Sequence, residues 1–160
     1  MSAPIVLATG CAVAALIALI VRLRRAYSII RVDGFSMAPA LTDGDRLLAR
    51  RMAPSALRNG HIAVVLSPLP MGGPFLIKRI VALPGDEVPP SVRPVVPDAR
   101  VPGGRLILIG DNTGASFDSR DHGYFAIADI HAITIRKLAP SRTENEPGKR
   151  FLRQQSNQRQ

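Results

Sequence analysis

The feature that most constrains this chain is an uncharged run from Ile5 to Val21, IVLATGCAVAALIALIV. With Ser2, Ala3 and Pro4 it is just long enough to cross a ~30 Å hydrocarbon core as a helix. A buried core helix or a cleaved signal peptide would also be apolar. A cleavable signal begins with a positive region, which the opening MSAP lacks. A lipoprotein cysteine follows its apolar region, whereas most of this run follows Cys11. The expectation is a retained transmembrane anchor over residues 1–25. Arg22, Arg24 and Arg25 close it, and the charge rule for loops would place them, and the domain behind them, in the cytoplasm.

Behind the anchor the pattern changes to short runs rich in Ile, Val and Leu. The candidate strands are Ser28–Asp33, Asp45–Arg50, His61–Ser67, Phe75–Leu83, Arg105–Ile109 and His131–Leu138. Turn residues separate them, as in Thr42-Asp43-Gly44, Asn59-Gly60 and Pro84-Gly85-Asp86. No run outside the anchor shows helical periodicity. Residues 26–139 should therefore form one mainly β domain of antiparallel strands. Pro84 to Gly104 holds six prolines and should be a loop or irregular edge, because proline cannot donate to a ladder. The polar tail, residues 140–160, is expected to be disordered.

Composition removes several function classes. The net charge of +9 suits nucleic acid or an anionic membrane surface. Aromatics are only 4 % and there is no Trp, so stacking on single-stranded bases has little to work with. The arginines clustered beside the apolar run point to lipid headgroups as partners, with no nucleic acid. One cysteine, Cys11, allows neither an intramolecular disulfide nor a four-cysteine zinc site.

Three boxes could carry chemistry. The first, Val32 to Pro39 followed by Leu41 and Gly44-Asp45, sets the hydroxyl of Ser36 between a glycine turn and a proline turn. Backbone N–H groups of such a turn can converge on one point, as an oxyanion hole needs. A serine needs a base to become a nucleophile. His61, His122 and His131 lie in no recognisable setting and read as surface or loop residues. The second box, Ile77-Lys78-Arg79-Ile80-Val81 ending in Pro84-Gly85-Asp86, offers Lys78 on an apolar strand. Burial there would favour the neutral amine. A lysine that snorkels its head to water gives the same pattern. Arg79 should face the other way and pair with a carboxylate. The third box, Gly110-Asp111-Asn112, Ser116, Asp118-Ser119-Arg120 and Gly123, could be a polar turn or a calcium loop, although its spacing is not that of an EF-hand. A pairing of Asp118 with Arg120, or with Arg79, would brace a site.

Taken in order, these boxes closely resemble the bacterial type I signal peptidases, membrane-anchored serine proteases with a Ser-Lys dyad. The first pattern, G-x-S-M-x-P then G-D, is met by Gly34, Ser36, Met37, Pro39, Gly44 and Asp45. The second, K-R then P-G-D, is met by Lys78, Arg79, Pro84, Gly85 and Asp86. The third, G-D-N, S-x-D-S-R and a glycine, is met by Gly110, Asp111, Asn112, Ser116, Asp118, Ser119, Arg120 and Gly123. The likeness spans about Val32 to Lys137. It implies that Ser36 is the acylating nucleophile and Lys78 its general base. Ser116 would hydrogen-bond and orient the lysine amine. Asp118, Arg120, Arg79 and Asp111 would support the site. Backbone at Ser36 and Gly34 would form the oxyanion hole, since Gly34 stands where some relatives have a serine. The resemblance implies cleavage of signal (leader) peptides from exported precursors, with no metal and no cofactor.

It also implies a single-pass membrane protein with its catalytic domain outside the cytoplasm, against the simple reading of Arg22, Arg24 and Arg25. Ala40, His61 and Thr113 depart from frequent family residues, but none removes a dyad member. The short stretch from Glu87 to Ile109 leaves no room for a large accessory β-domain, so this is a minimal form. Other readings remain. A repressor-type Ser-Lys autoprotease would carry a helix-turn-helix where this chain has an apolar run. An inactive anchored binding domain would be expected to lose Ser36 or Lys78. A dedicated maturation protease for one precursor has the same residues.

Overall fold

A computed structural model describes residues 3–70 and 73–138, with the side chains of the first helix described from Gly10 onward. The expected disordered tail, residues 140–160, lies outside the described residues. The chain opens with helix α1, Ala3–Ala26. Among the described residues no helix is long and apolar enough to cross a membrane. Arg22, Arg24 and Arg25 close the uncharged part of the helix. The described residues therefore do not support the single-pass anchor expected from sequence; what they show is an apolar N-terminal helix. Its large apolar side chains from Val13 to Leu23 are exposed.

The rest is mainly β, as the runs of branched residues imply. Seven strands are present among the described residues: β1 Tyr27–Arg31, β2 Arg46–Arg50, β3 Ile62–Leu66, β4 Phe75–Ala82, β5 Arg105–Ile109, β6 Phe125–Ala126 and β7 Ile130–Leu138. They form one antiparallel sheet in the order β1-β2-β7-β3-β4-β5-β6. Six coincide with the sequence candidates to within a residue or two. The two-residue β6 escapes sequence reading because it carries no repeat to detect. So does the short helix α2, Ser119–His122, which is started by a capping box between Asp118 and Asp121.

Bulges between Leu48 and Ala49, Val64 and Val65, and Ile80 and Ala82 bend the ladders. Leu57, Ala63, Val65, Ile80, Leu106, Leu108, Phe125 and Ile133 fill the main core. Full burial of each large side chain is worth about 1.5–3 kcal/mol. The proline-rich segment is not a strand, but Val88, Val92, Val96 and Val101 pack a second cluster on Ala82 and Ile107.

Two features of this topology make a cleft. Among the described residues β1 is an edge strand, paired only with β2. β5 covers β4 only from Arg79 onward, so Phe75–Lys78 pair with β3 alone among the described residues. Two strand edges thus remain open, with the first box running between them.

Candidate active site

The first box folds over its own anchor. Gly34 adopts φ +92°, a region that side chains with a Cβ avoid, which reverses the chain after β1. Met37 is buried with Val32, Leu41 and Leu47, so the adjacent Ser36 is held at the cleft. The turn continues through Ala38 N–H to the Phe35 carbonyl, 3.0 Å, and Leu41 N–H to the Met37 carbonyl, 2.8 Å. Ser36 and Lys78 then line a cleft of about 240 Å³ between Ile30–Asp33 on one wall and Gly73–Lys78 on the other.

Lys78 does not snorkel. It is 2 % exposed, and its Nζ lies 2.8 Å from Ser36 Oγ. Burial pushes its ammonium below the ordinary value; Asp118 pulls it back up, and Arg120 adds a smaller push down. The two groups can exchange a proton directly. His131 stacks on Phe75, His61 Nδ1 accepts from the Arg58 N–H, and His122 sits against Phe125 and Phe117. Among the described residues no histidine is hydrogen-bonded to Ser36.

The third box forms the floor around Asp118, which is fully buried. Its Oδ2 accepts from Gly110 N–H at 2.9 Å and from Ser116 Oγ at 2.7 Å. Arg120 grips both oxygens, Nε to Oδ1 at 2.8 Å and Nη2 to Oδ2 at 2.7 Å. Burial raises the Asp118 pKa, but the Arg120 bond, the Gly110 N–H and the Ser116 hydroxyl outweigh it and bring it to about 2. The second arginine pairs elsewhere. Arg79 clasps Asp111 through Nε at 2.8 Å and Nη2 at 2.5 Å, and donates to the Gly60 carbonyl at 2.9 Å. Of the two pairings open to Asp118, the fold uses Arg120.

Two expectations change. Ser116 gives its hydroxyl proton to Asp118, and among the described residues no hydrogen bond joins it to Lys78. A carboxylate held by five donors is the stronger acceptor, so the hydroxyl turns toward it. Gly34 N–H is not free for an oxyanion, because it donates to Asp43 Oδ1 at 2.8 Å. The Ser36 N–H, like those of Phe35 and Met37, has no acceptor among the described residues, and of these it adjoins the reactive hydroxyl on the same residue.

Three contributors were not assigned roles from sequence. Asn112 clamps the serine turn, its N–H on the Ser36 carbonyl at 3.0 Å and its Nδ2 on the Phe35 carbonyl at 3.2 Å. Asp43 holds Gly34, as above. Gly110 sits so close to the first box that a Cβ there would fall 2.6 Å from the Ser36 carbonyl and against the Ser116 hydroxyl. The G-D-N and T-D-G runs were visible signals, but their partners lie far away in sequence. Gly110→Ala should lower unfolding free energy by about 1–3 kcal/mol, since backbone must give way. Urea unfolding checks this; an unchanged midpoint would show that the turn can yield.

The comparisons point the same way. Residues 5–93 match the family described as signal peptidase, peptidase S26. The chain is 37% identical over 123 residues to the mitochondrial ATP-independent inner membrane protease subunit 1a of Arabidopsis thaliana, covering 73% of each. It is 31% identical over 125 residues to the mitochondrial inner membrane protease subunit 2 of Mus musculus, covering 74% of this chain and 70% of that one. The family match takes in both the turn that carries Ser36 and the strand that carries Lys78, and the chain belongs to the signal peptidase family, peptidase S26.

Proposed function

We propose that this chain is a membrane-associated serine endopeptidase that removes signal (leader) peptides from exported precursors, with Ser36 as nucleophile and Lys78 as general base. The observation that carries this reading is the 2.8 Å approach of a buried lysine amine to a serine hydroxyl at an open cleft. The neutral amine takes the Oγ proton as Oγ attacks the scissile carbonyl. The Ser36 N–H donates to the developing oxyanion, an interaction worth about 2.7–4 kcal/mol in the transition state. The protonated amine then gives its proton to the departing nitrogen, leaving an acyl-Ser36 ester. Water, deprotonated by the same amine, releases the acid and regenerates the hydroxyl. Ser116, Asp118 and Arg120 hold the floor beneath Lys78, while Arg79 and Asp111 tie β4 to the third box.

The open edges of β1 and Phe75–Lys78 suit an extended segment that adds to the sheet, its backbone bonded to both walls. Alternate side chains of an extended segment face one way. The first and third residues before the cut would point at the apolar walls formed by Ile30, Met37 and Ile77. A cleft of about 240 Å³ that also holds backbone leaves room only for small side chains there. The exposed apolar side chains of α1 supply the membrane contact, and the relatives are named as inner membrane protease subunits. The catalytic domain belongs on the extracytoplasmic side, where exported precursors emerge.

The test is cleavage of a panel of purified precursors, wild type beside Ser36→Ala. Wild type should cut after small residues, and Ser36→Ala should not cut at all. Placing Phe just before the cut should lower kcat/KM by about 100-fold, the cost of overfilling a packed pocket. Cleavage by Ser36→Ala, or efficient cleavage after Phe or Leu, would sink this reading.

A further inference from the structure

Asn112 stands closer to the chemistry than a brace of the turn would. The oxyanion donor is the N–H of the peptide unit that joins Phe35 to Ser36. The carbonyl of that same unit accepts a hydrogen bond from Asn112 Nδ2 at 3.2 Å. The next unit, which joins Ser36 to Met37, is held in the same way, its carbonyl accepting from the Asn112 N–H at 3.0 Å. One residue thus grips, by their oxygens, both peptide planes that flank the nucleophile. A trans peptide unit is rigid and its N–H points opposite to its C=O, so fixing the oxygen fixes the direction of the donor. Hydrogen bonding at the oxygen also polarises the unit, which makes its N–H a better donor.

The two ends of the Asn112 side chain are told apart by their partners. Its Oδ1 accepts from the Gly114 N–H at 3.3 Å, and only the amide nitrogen can donate to the Phe35 carbonyl. The residue is also held on both sides. Asp111, just before it, is clasped by Arg79, Nε to Oδ1 at 2.8 Å. Thr113, just after it, gives its carbonyl to Arg120 Nη1 at 3.3 Å. Arg79 directly follows Lys78 on β4, and Arg120 grips the Asp118 carboxylate. The clamp on the oxyanion donor is therefore fixed to the same frame that carries the base. The Nδ2 bond itself is exposed, where a hydrogen bond adds little to stability, so its geometry answers a need other than holding the fold. Gly34 offers no hydroxyl and its N–H is taken by Asp43, which leaves more of the work to the aim of the Ser36 N–H.

We propose that Asn112 is a positioning residue for catalysis: its side-chain amide aims and polarises the peptide between Phe35 and Ser36, so that the Ser36 N–H meets the substrate oxygen as it becomes an oxyanion. This rests on the Ser-Lys protease reading above. No bond forms or breaks at Asn112. As Ser36 Oγ bonds to the scissile carbon and its proton passes to Lys78, negative charge gathers on the carbonyl oxygen, and the aim of the donor counts most at that moment.

The test uses the full chain and a leader peptide that ends in alanine, made in two forms. One ends in a boronic acid, to which Ser36 Oγ adds while its proton passes to Lys78, giving a tetrahedral anion that needs the oxyanion donor. The other ends in a neutral carboxamide and binds without reaction. Removing an oxyanion donor outright costs about 100–1000-fold in kcat, so loosening one that remains should cost Asn112→Ala about 10–100-fold. The boronate should weaken by the same factor, while KM and carboxamide binding stay within about twofold of wild type. The rising limb of kcat/KM against pH should not move, because Lys78 is untouched. Asn112→Asp separates aim from bracing. It keeps an acceptor for the Gly114 N–H but sets a carboxylate oxygen against the Phe35 carbonyl, so its turnover should be at least as poor as that of Asn112→Ala. Near-wild-type turnover in either variant would overturn the proposal. So would an equal loss of boronate and carboxamide binding, or a shifted limb in Asn112→Ala. A wild type that cuts no precursor and takes no boronate sinks the protease reading itself, whereas an active wild type beside an equally active Asn112 variant sinks this proposal alone.

Discussion

Lys78→Arg should abolish cleavage, lowering kcat/KM by at least about 1000-fold. A general base must be uncharged when it works. A free lysine titrates near ~10.4 and is almost wholly protonated at neutral pH, but burial lowers Lys78 below that value. Guanidinium cannot deprotonate in this range, so arginine keeps the charge and loses the chemistry. Lys78→Ala should be equally inactive. For wild type, kcat/KM should rise with pH through the lowered Lys78 value, because the active form is the deprotonated one, giving an alkaline optimum. Measuring kcat/KM against pH, with both variants at one pH, decides the matter. Near-wild-type activity in Lys78→Arg, or a rising limb near an imidazole value of ~6.5, would transfer the base role to a histidine.

Asp118→Asn should be the most damaging change in the floor of the site, costing about 3–5 kcal/mol of stability. The carboxylate is fully buried and satisfies the Arg120 guanidinium, the Gly110 N–H and the Ser116 hydroxyl together. The amide keeps the shape but leaves Arg120 facing a neutral group and turns two of its own donors into a buried pocket. The pH dependence has a definite sign. The folded value of about 2 lies below the unfolded value of 3.8, so the stabilisation is complete above pH ~4 and is lost as pH falls toward 2. Its size is about 2 kcal/mol, and it should be absent from the variant. A second readout separates electrostatics from packing. Asp118 raises the Lys78 value, so its removal should move the rising limb of the pH profile of any residual activity to lower pH. An unfolding midpoint within a degree or two of wild type would show that the carboxylate does not hold the floor together, and an unmoved pH profile would show that Asp118 is not coupled to Lys78.

Much of this architecture is local and therefore legible. Strand runs such as Arg105–Ile109 announce themselves because branched side chains recur between turn residues, and both signals act over a few positions. The three boxes are legible for the same reason: Gly34, Ser36 and Pro39 are close neighbours, as are Lys78 and Arg79, and Asp118 and Arg120. Sequence also determined the absence of carboxylates from the first four strands. The end-on facts are different. Ser36 and Lys78 are 42 residues apart, and only the sheet order from β1 to β4, with Asn112 clamping the serine turn, brings one amine to one hydroxyl. A lysine on an apolar strand reads alike whether it snorkels or is buried, because the choice depends on what covers it. Tertiary structure also decided that Ser116 turns to Asp118, that Asp43 occupies the Gly34 N–H, and that Asn112 locks the serine turn. Each is a competition among hydrogen-bond partners contributed by distant segments, and a donor's choice is settled by which acceptor the folded chain sets within about 3 Å of it.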